Sequence, residues 1–300
     1  MDLSIIIVGY KCCHDIENAL ISVERHFIGF TYETILVNNF AGDDELPAMM
    51  NKHPELILID EGTNPGFGVA NNYGLTIAKG KYICFLNPDI IILNNILPLI
   101  RMMESDRNTG LISPLLRNTD MSIQRSCYNL PSIKNWFIRC FSIDSFLMKG
   151  FSYKGDAEVD WVLGAYMLTG RALMEELGGF DPAFFMYSED VDLCWRIHKA
   201  GYKVMFSDKS EAIHIGGVTS ASKSLSKARM EMASRIILWN KHFSKIDVQT
   251  LLRITFWSSK LKAFCWTLLC GVKLSGKAGE KDYHRLIAEL SREQIKSSKQ

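Results

Sequence analysis

Two acidic segments of this 300-residue sequence contain side chains that could take part in catalysis. The first is Asn-Pro-Asp at residues 87–89, which directly follows the apolar residues 82–86. A carboxylate at the end of a buried strand, here Asp89, can bind a divalent cation that in turn neutralises a diphosphate. Asn-Pro and Pro-Asp are also common turn formers, so the motif taken alone is a weak signal and fits a polar turn.

The second segment is Ser-Glu-Asp-Val-Asp at residues 188–192. Acidic residues suit the start of a helix and serine is a good N-cap, so a structural explanation is available. The preceding residues 180–187 are rich in aromatic side chains and would hold Glu189 and Asp190 in a partly apolar setting. Such a setting raises the pKa of a carboxyl group towards the range that suits a general base.

His214 lies in an apolar run beside two glycines, at residues 212–217. A single histidine in such a run is more often a packed, hydrogen-bonded core residue. Histidine is also a common metal ligand, so the residue pattern leaves both roles open.

The segment at residues 64–72, Asn-Pro-Gly-Phe-Gly-Val-Ala-Asn-Asn, is a glycine-containing loop that opens a helix. Backbone N–H groups at a helix start suit an anion or a ribose-phosphate. The segment does not match Gly-x-Gly-x-x-Gly, and the sequence contains no P-loop motif. Both observations argue against a dehydrogenase and against a P-loop NTPase.

Alternating strands and helices would position these side chains. Residues 3–8, 34–37, 56–59 and 82–86 are short apolar runs typical of buried strands. Between them, apolar residues recur at the spacing of a helix. This order predicts an α/β fold with a mostly parallel central sheet flanked by helices. Ligands of such sheets bind beyond the carboxyl ends of the strands, so the polar clusters should converge in one cleft.

Composition and charge narrow the class of protein. The sequence is 47% hydrophobic with a net charge of +1, so it can form a sizeable core and no overall field draws it to nucleic acid. The eight cysteines have no Cys-x-x-Cys spacing, and we expect buried, reduced thiols in a cytosolic protein. We interpret residues 1–10 as a strand and not a signal peptide. No run reaches the ~20 apolar residues of a spanning helix.

Seven motifs occur in a definite order between roughly residues 3 and 220. They are Ile-Ile-Ile-Val-Gly-Tyr at 5–10, Leu-Val-Asn-Asn at 36–39, Asn-Pro-Gly-Phe-Gly at 64–68, Phe-Leu-Asn-Pro-Asp at 85–89, Asp-Trp-Val-Leu-Gly-Ala at 160–165, Gly-Gly-Phe-Asp at 178–181 and Tyr-Ser-Glu-Asp-Val-Asp-Leu-Cys-Trp-Arg at 187–196. Together they resemble glycosyltransferase family 2, inverting enzymes of the GT-A fold. The closer similarity is to its bacterial rhamnosyltransferase-like branch, which builds O-antigen and related surface polysaccharides.

The resemblance implies a role for each matching residue. Asp190 is similar to the catalytic base of the family, with Glu189 beside it. Asp89 and His214 are similar to residues that hold a divalent metal, Mg²⁺ or Mn²⁺. Binding of the nucleotide-sugar donor is implied for Tyr10, Asn38, Asn39, Gly66, Phe67, Asn71 and Asn87, and binding of the acceptor for Trp161 and Gly164.

The sequence departs from the family pattern at two positions. Relatives often have Asp-Asn after the second strand, whereas this chain has Asn38-Asn39. The missing carboxylate would contact a pyrimidine base, which leaves the base preference open. Asn87 also replaces the first aspartate of the metal motif, and its amide oxygen brings less charge to a metal.

The function implied is transfer of a sugar with inversion to a lipid-linked or polysaccharide acceptor. Rhamnose from dTDP-rhamnose is the expected donor sugar; galactofuranose, glucose, galactose and an N-acetylated hexosamine stay open. A catalytically inactive nucleotide-sugar-binding scaffold is the alternative, and a nucleotidyltransferase is a weaker one. We expect the protein in the cytoplasm, peripheral on the inner membrane, in lipopolysaccharide synthesis.

The expected domain organisation follows from these motifs. Residues 1–240 are predicted to form the GT-A catalytic domain, with a variable insertion at about 115–158. Residues 241–300 are predicted to be a helical extension. Within it, residues 251–274 mix aliphatic and aromatic side chains with lysines and arginine. This composition fits either helices packed on the domain or an interfacial helix that binds a membrane surface.

Overall fold

The structure, a computed structural model, describes residues 1–141, 151–216, 224–270 and 278–297. The chain forms two compact units. The sheet unit contains Met1–Asn129, Ser152–Phe185 and Glu189–Gly217, and the helical unit contains Leu130–Phe151, Met186–Ser188 and Val218–Gln300. The predicted division at residue 240 and the predicted insertion at about 115–158 stay predictions.

Strands and helices alternate through most of the sheet unit. Its strands are β1 (Leu3–Gly9), β2 (Tyr32–Asn38), β3 (Ile57–Asp60), β4 (Tyr82–Leu86), β5 (Ile90–Ile92), β6 (Thr109–Arg117), β7 (Cys127–Tyr128), β8 (Ala157–Glu158), β9 (Trp161–Val162), β10 (Tyr166–Gly170) and β11 (Lys203–His214). Its helices are α1 (Cys13–His26), α2 (Leu46–Lys52), α3 (Phe67–Ile77), α4 (Leu97–Ser105), α6 (Arg171–Leu177) and α7 (Glu189–Lys199).

The main sheet has nine strands within the described residues, in the order β3–β2–β1–β4–β10–β6–β11–β5, and β8 pairs with β11. Strands β1 to β4 are parallel, as the alternating pattern predicts. The sheet is mostly parallel, as predicted, because β6 and β11 also pair in parallel; β10 runs antiparallel to both β4 and β6, and β5 and β8 run antiparallel to β11.

Both faces of the parallel half are covered by helices, which explains its continuous apolar strands. All seven residues of β1 are buried. Side chains of α1 and α4 pack in one core cluster with Leu3, Ile5 and Ile7. On the opposite face α3 approaches Ile6 so closely that a Cβ at Gly74 would lie 2.5 Å from the Ile6 Cγ2 atom. The central sheet is therefore buried on both sides, as expected for an α/β fold.

Strand β11 is much longer than the sequence suggests. The apolar residues at 204–206 predict a short strand, but β11 continues to His214. Its middle, Ser-Asp-Lys-Ser-Glu at residues 207–211, is polar, and the pairing with β6 shifts register between Ser207 and Glu211. A bulge of this kind interrupts the apolar pattern, so the sequence does not show that His214 ends a central strand.

The helical unit contains α5 (Ile133–Cys140), α8 (Leu225–His242), α9 (Lys245–Cys270) and α10 (Ala278–Ser297). Its core is organised around two tryptophans, Trp136 and Trp239, whose rings meet edge to face at 5.2 Å. The Trp136 Nε1–H group donates a hydrogen bond of 2.9 Å to the Thr255 hydroxyl of α9. Among the described residues no helix combines the length and the apolar character needed to cross a membrane.

Candidate functional site

Every residue that the sequence singles out for a site lies in the sheet unit. The residues follow strand ends or open helices: Tyr10 follows β1, Asn38 ends β2, and Asn87 follows β4. These three strands are parallel, so their carboxyl ends share one edge of the sheet. The predicted convergence of the polar clusters follows from this topology.

Asp190 is held in one orientation by two backbone N–H groups. Its Oδ2 atom accepts a hydrogen bond of 3.0 Å from Gly164, and its Oδ1 atom accepts one of 2.8 Å from Val191. A Cβ at Gly164 would lie only 3.2 Å from the Asp190 Cβ atom, so glycine lets the two backbones approach. In this structure the Gly164 N–H group therefore orients the Asp190 carboxylate.

Glu189 and Asp190 form a buried pair of carboxyl groups. Burial, followed by the charge of Asp190, raises the pKa of Glu189 to about 8, and burial also raises the pKa of Asp190. Asp190 accepts hydrogen bonds that stabilise its charged form, whereas Glu189 Oε2 has no hydrogen-bond partner in the described parts of the chain. At neutral pH we therefore place the proton on Glu189 and the negative charge on Asp190.

The two residues before this pair have unusual backbones. Tyr187 and Ser188 have φ angles of 71° and 67°, in the left-handed region that non-glycine residues rarely adopt. A standard N-cap has an extended backbone, so Ser188 is not the ordinary helix cap that its position suggests. Each such residue costs on the order of 1–3 kcal/mol, and strain of this kind concentrates at functional sites.

Asp89 and His214 are brought together by strand pairing. The antiparallel register of β5 and β11 sets His214 opposite Ile90, and the Ile215 N–H group donates to the Asp89 carbonyl. The His214 Nε2 atom lies 3.5 Å from the Asp89 Oδ1 atom, and Asp89 is only 9% exposed. Burial lowers the pKa of His214 although Asp89 opposes this, so the ring is neutral near pH 7.

Gln124 completes this cluster, although no motif in the sequence identifies it. Its Oε1 atom lies 2.6 Å from the His214 Nδ1 atom, and its Nε2 atom donates to the His214 carbonyl at 3.1 Å. A neutral imidazole whose Nδ1–H group is hydrogen-bonded presents its Nε2 lone pair, the form that binds metals. Asp89 and His214 can therefore supply one oxygen and one nitrogen ligand to a divalent metal.

A second group of metal-ligand atoms lies elsewhere in the sheet unit. One atom each of Cys13, Asp43 and Glu45 lie within 4.8 Å of one another. Burial raises the pKa of the Cys13 thiol to about 12, and the negative charge of Asp43 contributes. Because metals bind the thiolate, this group suits a metal less well than Asp89 and His214 do.

An aromatic platform lies at the carboxyl ends of β1 and β2. The rings of Tyr10 and Phe40 meet edge to face at 5.5 Å, and the Lys11 Nζ atom lies 4.3 Å from the Phe40 ring centre. Tyr10 is 50% exposed, so its ring can receive a further flat group. Phe40 and Lys11 were not among the predicted site residues, because no motif identifies them.

The two asparagines after β2 are buried and use their amides inside the protein. Asn38 Nδ2 donates to the Phe40 carbonyl at 2.8 Å and to Asp60 Oδ1 at 3.2 Å, while Asn38 Oδ1 accepts from Phe40 N–H. Asn39 Nδ2 lies 3.4 Å from Asn64 Oδ1. The exposed polar group beside Asn38 is thus the Asp60 carboxylate at the end of β3, which sequence reasoning missed.

The glycine-containing loop is shaped by close packing. Gly66 has a φ angle of 98°, and a Cβ there would lie 2.2 Å from the Phe185 carbonyl oxygen. That carbonyl accepts a hydrogen bond of 3.0 Å from the Phe67 N–H group, so this amide is not free for an anion. Asn71 is also buried, and its Nδ2 atom donates to the Phe67 carbonyl. Asn72, one residue further, pairs with both backbone groups of Phe180.

Trp161 lies in the two-stranded sheet of β7 and β9. It is buried, stacks on Tyr128 with ring centres 4.5 Å apart, and donates from Nε1 to the Asn129 carbonyl. The Asn87 N–H group donates to the Ala165 carbonyl at 2.8 Å. Because Ala165 follows Gly164, the dipeptide 164–165 touches Asp190 on one side and the 87–89 turn on the other.

The known proteins that are similar to this chain are named as glycosyltransferases. The family Glycosyl transferase family 2 matches residues 4–193. Rhamnosyltransferase WbbL of Escherichia coli (strain K12) is 30% identical over 199 residues, which are 61% of this chain and 75% of that protein. The N-acetylglucosaminyl-diphospho-decaprenol L-rhamnosyltransferase of Mycobacterium tuberculosis (strain CDC 1551 / Oshkosh) is 27% identical over 203 residues, 60% of this chain and 65% of that protein.

Solved structures show the fold independently. The crystal structure of GalNAc-T7 with UDP, GalNAc and Mn²⁺ superposes with a TM-score of 0.63 at 15% identity. The match covers 99% of this chain and 57% of that chain, so this chain spans a little over half of the solved protein. The mixed α/β sheet flanked by helices is therefore the GT-A fold, as the motifs predicted.

Proposed function

This chain belongs to glycosyl transferase family 2, and we propose that it transfers rhamnose from dTDP-rhamnose to a saccharide or polyprenyl-linked acceptor in the synthesis of a surface polysaccharide such as O-antigen. Two relatives named as rhamnosyltransferases support the sugar, and one of them is named for a lipid diphosphate acceptor. The remaining support comes from the site itself.

The observation that carries the proposal is the position of the dipeptide 164–165. Gly164 donates to the Asp190 carboxylate, and Ala165 accepts from Asn87 at the start of the Asn-Pro-Asp turn. One rigid backbone segment thus connects a buried carboxylate with the acidic turn that includes Asp89. Glycosyl transfer needs both: a base for the attacking hydroxyl and a positive environment for the leaving diphosphate.

Asp190 would act as the base in a single displacement. It accepts the proton of the acceptor hydroxyl while that oxygen attacks the anomeric carbon and the bond to the nucleoside diphosphate breaks, which inverts the configuration. The raised pKa of Asp190 makes it a stronger base than an exposed carboxylate. Neutral Glu189 keeps a second negative charge away from Asp190, and the buried rings of Phe180 and Phe184 keep bulk water from this part of the chain.

Asp89 and His214 would hold a divalent metal, Mg²⁺ or Mn²⁺. The pairing of a carboxylate oxygen with an imidazole nitrogen lone pair 3.5 Å away suits such an ion. GalNAc-T7, the structural neighbour, was crystallised with Mn²⁺ and UDP. When bound, the ion would supply positive charge for the departing diphosphate. The Asn87 backbone carbonyl accepts a hydrogen bond of 3.2 Å from the Ile90 N–H group, which holds the turn that includes Asp89.

The donor base would lie against the aromatic platform of Tyr10 and Phe40, next to Asp60. The Asp60 Oδ1 atom accepts hydrogen bonds from Asn38 and Gly62, while its Oδ2 atom has no hydrogen bond to any described residue. An ionised carboxylate only accepts hydrogen bonds, so it suits the N3–H group of thymine or uracil and repels the N3 lone pair of cytosine. Asp60 would thus supply the carboxylate that position 38 lacks.

The helical unit would bring the enzyme to a membrane surface. On α9 the residues Trp257, Leu261 and Phe264 are 63%, 50% and 61% exposed, and their spacing sets them on one side of the helix. Arg253, four residues before Trp257, and Lys260 are also exposed. Aromatic and basic side chains together bind the interface of anionic lipid bilayers. Residues 271–274 of the predicted segment lie outside the described residues.

A thermal-shift titration with dTDP, UDP, GDP and CDP, each with and without Mn²⁺, tests the proposal. A ligand at 100 times its dissociation constant stabilises the fold by about 2.7 kcal/mol, which a melting curve resolves. We expect stabilisation by dTDP or UDP that requires Mn²⁺ and disappears in Asp89→Ala. If no nucleotide stabilises the protein, with or without metal, the proposal is wrong and a catalytically inactive protein becomes the better description.

A further inference from the structure

The turn at residues 118–122 carries a hydrogen-bond relay that ends on His214. Gln124 N–H donates to the Leu116 carbonyl, which folds the segment after the turn back along β6. Arg117 Nη1 donates to the Met121 carbonyl and Arg117 Nε donates to Glu211 of β11 at 2.7 Å. The turn is therefore attached to both strands that position His214.

The direction of every hydrogen bond in the relay is fixed from its outer end. Ionised Asp120 can only accept, so the Ser122 hydroxyl donates its proton to Asp120 Oδ1 at 2.5 Å. The Ser122 oxygen can then only accept from Asn118 Nδ2, at 2.9 Å. Asn118 Oδ1 consequently accepts from Gln124 Nε2, at 3.0 Å.

These donor and acceptor assignments determine which atom of the Gln124 amide, oxygen or nitrogen, faces His214. Gln124 Nε2 already donates to Asn118 Oδ1 and to the His214 carbonyl, so its two protons are used. The remaining Oε1 atom, which only accepts, faces the His214 Nδ1 atom at 2.6 Å. The proton of a neutral His214 ring must therefore be on Nδ1, and Nε2 presents a lone pair.

That lone pair faces another acceptor. The Nε2 atom lies 3.5 Å from Asp89 Oδ1, and two acceptors at this distance repel unless a cation lies with them. A divalent cation bound to both atoms satisfies this arrangement of two acceptors. Metal-binding histidines commonly have such an acceptor on the second ring nitrogen, and losing it typically costs 10–100-fold in metal affinity.

We propose that Gln124 is a positioning residue, which fixes the Nδ1–H tautomer and the ring orientation of His214 so that Nε2 is ready to bind the metal. The proposal rests on the metal role of Asp89 and His214 given above. Gln124 itself touches neither metal nor substrate; it acts through the imidazole, and the 118–122 turn acts through Gln124.

The tautomer can be read without any metal. Long-range ¹H–¹⁵N correlation spectra of the metal-free full-length chain, with ¹⁵N-histidine, distinguish Nδ1–H from Nε2–H rings. His214→Gln identifies the His214 signals. We expect the Nδ1–H form in the wild-type protein and in Gln124→Glu, which keeps an acceptor, and loss of this preference in Gln124→Met, which has similar length and no acceptor. An Nε2–H ring in the wild-type protein would overturn the proposal.

Binding of Mn²⁺ alone, followed by electron paramagnetic resonance of the free ion, gives the second readout. Gln124→Met should weaken Mn²⁺ binding about 10–100-fold, and Gln124→Glu should stay close to the wild type. Equal melting temperatures of the metal-free variants show that folding is intact. If wild-type protein binds no Mn²⁺, the metal role of Asp89 and His214 fails, whereas normal Mn²⁺ affinity in Gln124→Met refutes the role of Gln124 alone.

Discussion

Replacing Glu189 by glutamine should change how the stability of the protein depends on pH. The pKa of Glu189 is raised from 4.5 to about 8, by burial first and by the charge of Asp190 second. The folded state therefore keeps a proton that the unfolded chain releases near pH 4.5. The stability that this protonation gives is complete below pH 4.5 and is lost as the pH rises towards 8.

The size of the effect follows from the two pKa values. Each pKa unit corresponds to about 1.4 kcal/mol, so the wild-type protein should lose roughly 3 kcal/mol between pH 5 and pH 8 through this one group. Glutamine has the same shape, cannot ionise, and removes this loss. For a chain of 300 residues the difference amounts to a change in melting temperature of about 5 °C.

Melting temperatures of the wild-type protein and of Glu189→Gln at pH 5 and pH 8 measure the effect, because contributions from all other groups cancel in the comparison. Glu176→Gln, an exposed glutamate of α6, is the matched control and should follow the wild type. Parallel loss of stability in the wild-type protein and Glu189→Gln would show that Glu189 is ionised at neutral pH and that the assignment of charge to Asp190 alone is mistaken.

Two further substitutions test the donor and membrane proposals. Asp60→Asn exchanges an acceptor for an amide that can donate to cytosine N3, so the preference for dTDP or UDP over CDP should fall at least about tenfold in binding titrations; an unchanged preference would exclude Asp60 as the base reader. Phe264→Glu adds a negative charge to the exposed face of α9 and should reduce co-sedimentation with phosphatidylglycerol vesicles several-fold. Leu225→Glu, at a position of α8 that is 49% exposed, should not; equal sedimentation of both variants would exclude this face as the membrane contact.

Local sequence patterns predicted the elements that are regular over short stretches. Strand Tyr82–Leu86 has the predicted bounds, because its apolar run ends at the polar Asn-Pro-Asp turn. The reversed strand β10 and the long strand β11 were not predicted, since strand direction and a bulged register depend on partners far along the chain.

The same distinction holds for the candidate site. Asp89 and Asp190 stand in recognisable motifs, His214 lies in an apolar run beside two glycines, and the structure sets Asp89 and His214 side by side. Gln124 and Asp60 lie in segments without a motif, and only the pairing of β6 with β11 and of β2 with β3 brings them to the site. Residues that act by positioning a neighbouring side chain are difficult to identify from a single sequence.

The role of Asp190 as the base is tested by measuring the release of nucleoside diphosphate from dTDP-rhamnose and UDP-sugars. The assay compares wild-type protein with Asp190→Asn, with Mn²⁺ and a polyprenyl-linked saccharide present. Removing a general base typically costs a factor of about 10²–10⁴, so we expect turnover by the wild type, a loss of this size in Asp190→Asn, and equal binding of the nucleotide by both proteins. Turnover by Asp190→Asn within a few-fold of the wild type would contradict the account, because the carboxylate that Gly164 and Val191 hold would then not be the base.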